Sequence, residues 1–135
     1  MQIEQLEIVD VFLTLLRAHT VGVIMKDNVF KNTVAGCFKD HWKAAAAPYS
    51  LHPTMRTRID LIRNAYNDET IGNESKHLVV LLHVAIALCS KDWFTTFSNY
   101  YPITFVKLVG DACFRTMKTN TTFGVDEVFA EFIGN

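Results

Sequence analysis

The fold is decided by residues 78–89, which read Leu78-Val79-Val80-Leu81-Leu82-His83-Val84-Ala85-Ile86-Ala87-Leu88-Cys89. His83 is the one residue of this stretch that is not apolar, and no position carries a formal charge. The stretch is longer than a usual β-strand, and we therefore predict a helix that is buried on all sides. Its β-branched valines leave a buried strand open as the alternative.

On the N-terminal side of this stretch, the spacing of apolar residues predicts three amphipathic helices. The first runs from Gln2 to about His19, and Val21 to Met25 form a bend or a frayed extension. The second follows Asp27, whose carboxylate can accept hydrogen bonds from free backbone N–H groups. The third starts at Pro53, whose missing N–H costs nothing at the first helical position. The apolar residues expected to face inward are Leu6, Val9, Phe12, Leu13, Leu16, Phe30, Val34, Cys37, Phe38, Trp42, Met55, Ile59, Ile62 and Tyr66.

On the C-terminal side of the buried stretch, the sequence predicts further helices, and residues that favour helix N-termini mark where they start. Asn73 can cap the buried helix, and Ser90 can cap a short aromatic helix. Pro102 starts another helix, and a last one runs from about Val125 to Ile133. The inward residues expected on these last two helices are Phe105, Val106, Val109, Cys113, Met117, Val128, Phe129 and Phe132. We therefore predict an all-α fold, a compact single-domain bundle or orthogonal array of six to seven helices over residues 1–135.

The composition indicates a chain with more apolar surface than one small domain can hide. Hydrophobic residues make up 50% of the 135 residues and charged residues only 20%. A chain of this length buries about two-thirds of its surface when it folds, so part of that apolar surface stays outside. We expect a protein partner, self-association into a homo-oligomer, or both.

The charge balance makes nucleic acid an unlikely partner. The chain has 13 basic and 14 acidic residues, a formal net charge of −1, whereas duplex binding requires a basic patch. Arg56 and Arg63 lie seven positions apart and share one helix face, so they form a possible anion patch. A solvated helix face is the simpler interpretation of these two arginines.

Nothing in the sequence predicts export or insertion into a membrane. The N-terminal residues are acidic where a secretory signal would be basic, and the longest uncharged apolar stretch is too short to cross a bilayer. The three cysteines, Cys37, Cys89 and Cys113, are odd in number, which is typical of free thiols in a reducing compartment. We expect a cytoplasmic protein.

The usual catalytic and cofactor motifs are missing, and no cofactor or metal is expected. The sequence has no glycine-rich phosphate loop, Gly-x-Ser-x-Gly, His-Glu-x-x-His or Cys-x-x-Cys. Cys37 and His41 lie one helical turn apart, and His83 lies in the buried stretch. A small enzyme or a ligand- or metal-binding domain with its site near these three residues is the alternative hypothesis.

Aromatic residues supply the strongest functional indication. Trp93, Phe94, Phe97, Tyr100 and Tyr101 fall within nine positions, and a helix cannot bury all five on one face. Aromatic side chains with few charges around them are typical of the centres of protein interfaces. The leading hypothesis is a noncatalytic, regulatory interaction domain (an adaptor, inhibitor or modulator of another protein) that binds through an aromatic-rich helical surface. Its predicted partner-binding residues are Trp93, Phe94, Tyr100, Tyr101 and Tyr49.

Overall fold

Helices account for nearly all of the regular structure. The computed structural model describes residues 2–50, 52–89, 92–119 and 125–133. It contains α1 (Gln2–Ile24), α2 (Asn28–Ala44), α3 (Met55–Asn67), α4 (Asn73–Cys89), a π-helical turn (Trp93–Phe97), a 3-10 turn (Ser98–Tyr100), α5 (Ile103–Thr119) and α6 (Val125–Ile133). No strand occurs in these residues, and the predicted all-α fold is confirmed.

The helices are distributed over two compact units, Met1–Lys76 and His77–Asn135. Helix α4 begins in the first unit and continues into the second. The single domain over residues 1–135 stays a prediction.

In the first unit, α1 and α2 form a tight antiparallel pair. Helix α1 continues to Ile24, so the segment after Val21 is helical rather than bent. Gly22 of α1 lets α2 pack closely against it. A Cβ at this position would lie 3.0 Å from the Phe30 ring and 3.3 Å from the Cα of Lys31. Asp27 caps α2 as predicted, its carboxylate accepting the Phe30 N–H at 3.0 Å.

Aromatic rings fill the core of the first unit. Phe12, Phe38 and Trp42 are fully buried, and the Phe12 ring contacts the other two edge to face, with centroids 5.1 and 5.9 Å away. Two residues of the predicted α2 stripe are not part of this core, since Phe30 and Cys37 are exposed. They lie at the margin of the stripe, where spacing alone does not decide burial.

Helix α3 begins two residues later than predicted. Thr54 is its N-cap, with a hydroxyl that accepts the Thr57 N–H at 3.3 Å. Pro53 therefore precedes the cap rather than opening the helix. The face that α3 buries is also rotated relative to the predicted one: Thr57, Leu61, Ile62 and Ala65 are buried, whereas Met55, Ile59 and Tyr66 are half-buried.

A polar network joins the end of α1 to the start of α4. Nδ1 of the fully buried His19 lies 2.7 Å from the Ser75 hydroxyl oxygen. The Thr20 hydroxyl lies 2.8 Å from the same oxygen and accepts the Gly72 N–H at 3.1 Å. Burial is the main cause that lowers the pKa of His19, so the ring is held neutral. Ser75 thus satisfies two side chains at once.

In the second unit, α4 is buried around its whole circumference, as predicted. Every residue from Leu78 to Ala87 is buried, including His83. The helix excludes the strand alternative for this stretch. Ser90, the predicted cap of the next element, lies outside the described residues, as does the side chain of Phe97.

Helix α5 buries three of its five predicted inward residues and leaves Val106 half-buried. Phe105, Val109 and Cys113 are buried as expected, but Met117 is 61% exposed. Helix α6 has the predicted bounds and buries Val128 and Phe129. Among the described helices, none combines the length and the hydropathy that a membrane crossing requires.

We expect the Ser75→Ala variant to lower the free energy of unfolding by about 1–3 kcal/mol, because it removes the hydrogen-bond partner of Nδ1 of the buried His19 and one partner of the half-buried Thr20 hydroxyl. Chemical denaturation followed by circular dichroism measures this loss. Thr14→Ala, which removes an exposed hydroxyl from α1, is the control and should change the value by less than about 0.5 kcal/mol. Equal effects of the two variants would contradict the role given to Ser75.

Candidate interaction surface

The aromatic segment after α4 divides into a buried half and an exposed half. Trp93 and Tyr101 are only 1% and 6% exposed, whereas Phe94 and Tyr100 are 39% and 56% exposed. Over residues 93–100 the backbone forms a π-helical turn and a 3-10 turn instead of a regular α-helix. Two of the predicted partner-binding residues, Trp93 and Tyr101, are therefore core residues rather than surface residues.

The buried half packs around His83. The His83 ring contacts Trp93, Tyr101 and Phe105 edge to face, with centroid distances of 6.1, 5.5 and 5.0 Å. Trp93 and Tyr101 stack on each other at 5.6 Å. The His83 Nδ1–H donates to the Val79 carbonyl at 2.8 Å. His83 is thus a core residue with a backbone partner, which accounts for a histidine in an apolar helix.

The outer face of α5 carries large apolar side chains that are exposed to solvent. Ile103 is 86% exposed and Phe114 is 73% exposed, and Met117 lies on the same side of the helix. Their spacing of 11 and three residues places them within one narrow arc, because each residue turns the helix by about 100°. We call Ile103, Phe114 and Met117 the α5 apolar face.

Phe94 borders this face. A Cβ built on Gly110, which lies on the same arc, would be 3.9 Å from the Phe94 ring. The Phe94 ring also packs edge to face on the buried Trp93 at 4.9 Å. The buried half of the aromatic segment therefore holds Phe94 in position next to α5.

Sequence reasoning missed the α5 apolar face. Ile103 and Phe114 were not among the candidate residues, and Met117 was assigned to the core. The signal was present in the sequence, because positions 103, 110, 114 and 117 recur at steps of seven, four and three. When a helix has two apolar faces, tertiary packing decides which of them is buried. The spacing of the residues does not show which one it is.

Tyr49, the remaining predicted partner-binding residue, belongs to the first unit. Its side chain is fully exposed, and its backbone has a positive φ of 62°, which is uncommon for a residue other than glycine. Its role in partner binding stays a prediction.

Arg56 and Arg63 are both exposed on α3, as the anion-patch hypothesis requires. The neighbouring Arg58 has an electrostatic effect on His52. Burial and, secondarily, the positive charge of Arg58 lower the pKa of His52 to about 4. Nδ1 of the neutral His52 accepts a hydrogen bond from the Trp42 indole N–H at 3.0 Å. An anion at Arg56 and Arg63 stays a prediction.

Cys37 and His41, the residues of the alternative hypothesis, lie in different surroundings. The His41 Nε2–H donates to the Ile8 carbonyl at 3.1 Å, and its ring packs on Phe12. Cys37 is an exposed free thiol. Within the described ranges, no group of three or more His, Cys, Asp or Glu side chains is placed to hold a metal ion.

A cavity of about 460 Å³ lies in the first unit beside the start of α4. Thr20, Ser75 and Gly72 line it, and their polar groups already bond to one another. Glu69 and Glu74 also line it, so the cavity is unfavourable for an anion despite the helix N-terminus beside it.

Comparisons with models of known protein families, with curated proteins and with solved structures find no match for this chain.

We expect acidification to destabilise the protein through His52. The neutral form of His52 is favoured in the folded state, because burial lowers its pKa from the ordinary 6.5 to about 4. The free energy of unfolding therefore decreases as the pH falls from 6.5 towards 4. His52→Gln offers a carbonyl oxygen to Trp42 but does not titrate. Between pH 7 and pH 4.5, the wild type should lose about 1–2 kcal/mol more free energy of unfolding than the variant, after allowance for solvent screening.

Denaturant titrations of both proteins at the two pH values measure this difference. The contributions of His19 and His77, whose pKa values are also lowered, are common to both proteins and cancel. Parallel losses in the wild type and His52→Gln would show that His52 does not carry the effect.

Proposed function

We propose that this protein is a noncatalytic interaction domain, an adaptor, inhibitor or modulator of another protein, and that it binds through the α5 apolar face and the adjoining Phe94. One observation carries the proposal: α5 has large apolar side chains on the face turned to solvent as well as on the face turned to the core.

The two faces of α5 are distinct. Phe105, Val109 and Thr116 are buried on the inner side, whereas Ile103 and Phe114 are mostly exposed. Burying one such large apolar side chain contributes about 1.5–3 kcal/mol, so a partner that covers this face gains considerable binding energy. Aromatic residues and methionine are enriched at the centres of protein interfaces, which is the composition of this face.

The surroundings of the face also suit protein binding. Tyr100 is exposed at the turn before α5, and its ring combines an apolar body with a polar tip. Lys107 and Asp111 are exposed along one edge of α5. Charges at the rim of an apolar patch improve specificity and the rate of association more than they improve affinity.

The cytoplasm is our proposed location. Cys37 and Cys113 are free thiols, and burial raises the pKa of the Cys113 thiol to about 11. Such a thiol is unreactive and requires no disulfide partner. This chemistry suits a reducing compartment, where disulfides are rare.

The proposal is tested by placing a charge on the α5 apolar face. We expect Phe114→Asp to reduce recovery of the bound partner by at least about tenfold in affinity capture from native cells, because a desolvated carboxylate opposes burial of the face. Phe114 is exposed, so the variant should retain the helical circular dichroism of the wild type.

Val29→Asp is the matched control, since Val29 is an equally exposed apolar residue on α2. Proteins that are lost with Phe114→Asp and retained with Val29→Asp bind at the proposed face. Identical recovery of every captured protein with both variants would refute the proposed function of α5.

A further inference from the structure

We propose that the occupant of the α5 apolar face is the same face of a second copy of this chain, with the two α5 helices packed antiparallel about a two-fold axis. This inference rests on the proposed function, because it uses the same surface. A second copy and another protein therefore compete for the α5 apolar face.

The first argument is the position of the charges on α5. Lys107 and Asp111 lie one turn apart on the same edge of the α5 apolar face. In a two-fold antiparallel pair of helices, each edge of one helix meets the same edge of the other. The edge with Lys107 and Asp111 therefore faces its own copy.

One register of the two antiparallel α5 helices pairs both the charged and the apolar side chains of the two copies. When the pair is centred at residue 109, Lys107 lies opposite Asp111 of the second copy, and Asp111 lies opposite Lys107 of the second copy. In that register Ile103 and Phe114 of the second copy lie within about 2 Å of the same height along the axis, at a rise of 1.5 Å per residue. Apolar contacts and two ion pairs thus form together.

The charges are also available for such pairing. Within one helix, a lysine one turn before an acidic residue is the less favourable order, because it opposes the helix dipole. No ion pair of Lys107 or Asp111 occurs among the residues that the structure describes. The Phe94 ring lies beside Gly110 near the centre of the contact, so Phe94 is part of the surface that the second copy covers.

The available area predicts a reversible dimer. Ile103, Phe114 and Met117 together expose on the order of 400–500 Å². A stable interface buries about 800 Å² on each partner. The pairing is therefore of the weaker, concentration-dependent class.

Sedimentation equilibrium of the full chain over a wide concentration range tests the inference. The wild type should rise from a mass of 15.3 kDa towards twice that value. Lys107→Asp and Asp111→Lys should each weaken self-association at least tenfold, because each places like charges opposite each other twice. An equimolar mixture of these two variants should recover the wild-type association as a heterodimer, and the double reversal K107D/D111K should recover it within one chain.

Lys26→Asp and Asp10→Lys, reversals of exposed charges outside α5, are the controls and should leave association unchanged. A wild type that stays at 15.3 kDa overturns the inference, and so does a dimer that the α5 reversals do not weaken or that the mixture does not restore. The proposed function is tested separately. If the wild type is monomeric but Phe114→Asp abolishes binding of a different protein, the inference fails and the proposed function stands.

Discussion

Burial of α4 around its whole circumference is the constraint on which the second unit depends. A helix with no solvent-facing side must be covered from every direction, and it contains one imidazole that needs a polar partner away from water. The Val79 carbonyl supplies that partner for His83. The rings of Trp93, Tyr101 and Phe105 then cover the imidazole. The sequence after α4 is aromatic because this helix must be enclosed.

The aromatic segment that encloses α4 also contains the exposed Phe94. Residues 93–100 form a π-helical turn and a 3-10 turn, and Trp93 and the following Tyr101 are buried. Phe94 is left outside, held against Trp93 and next to Gly110 of α5. One aromatic segment therefore supplies both buried core rings and the exposed Phe94 that borders the α5 apolar face.

The sequence predicted what depends on local physical chemistry. The buried α4, the Asp27 cap and the bounds of α6 follow from apolar content, a side-chain hydrogen bond and periodicity, and the structure has all three. Some predictions depended on which part of the chain packs against a given helix face, and these were wrong. Met117 and Phe30 lie in apolar patterns, yet both are exposed. The spacing of residues shows which of them share a helix face, but it does not show whether another helix packs on that face. The α5 apolar face was missed for the same reason.

The two tryptophans have a practical consequence for studying this protein. Trp42 lies buried in the first unit beside His52, and Trp93 lies buried in the second beside His83. Each unit thus contains one buried tryptophan, whose emission moves to longer wavelength when water reaches the indole. With the other indole replaced by phenylalanine, the loosening of either unit can be observed by itself and without a chemical label.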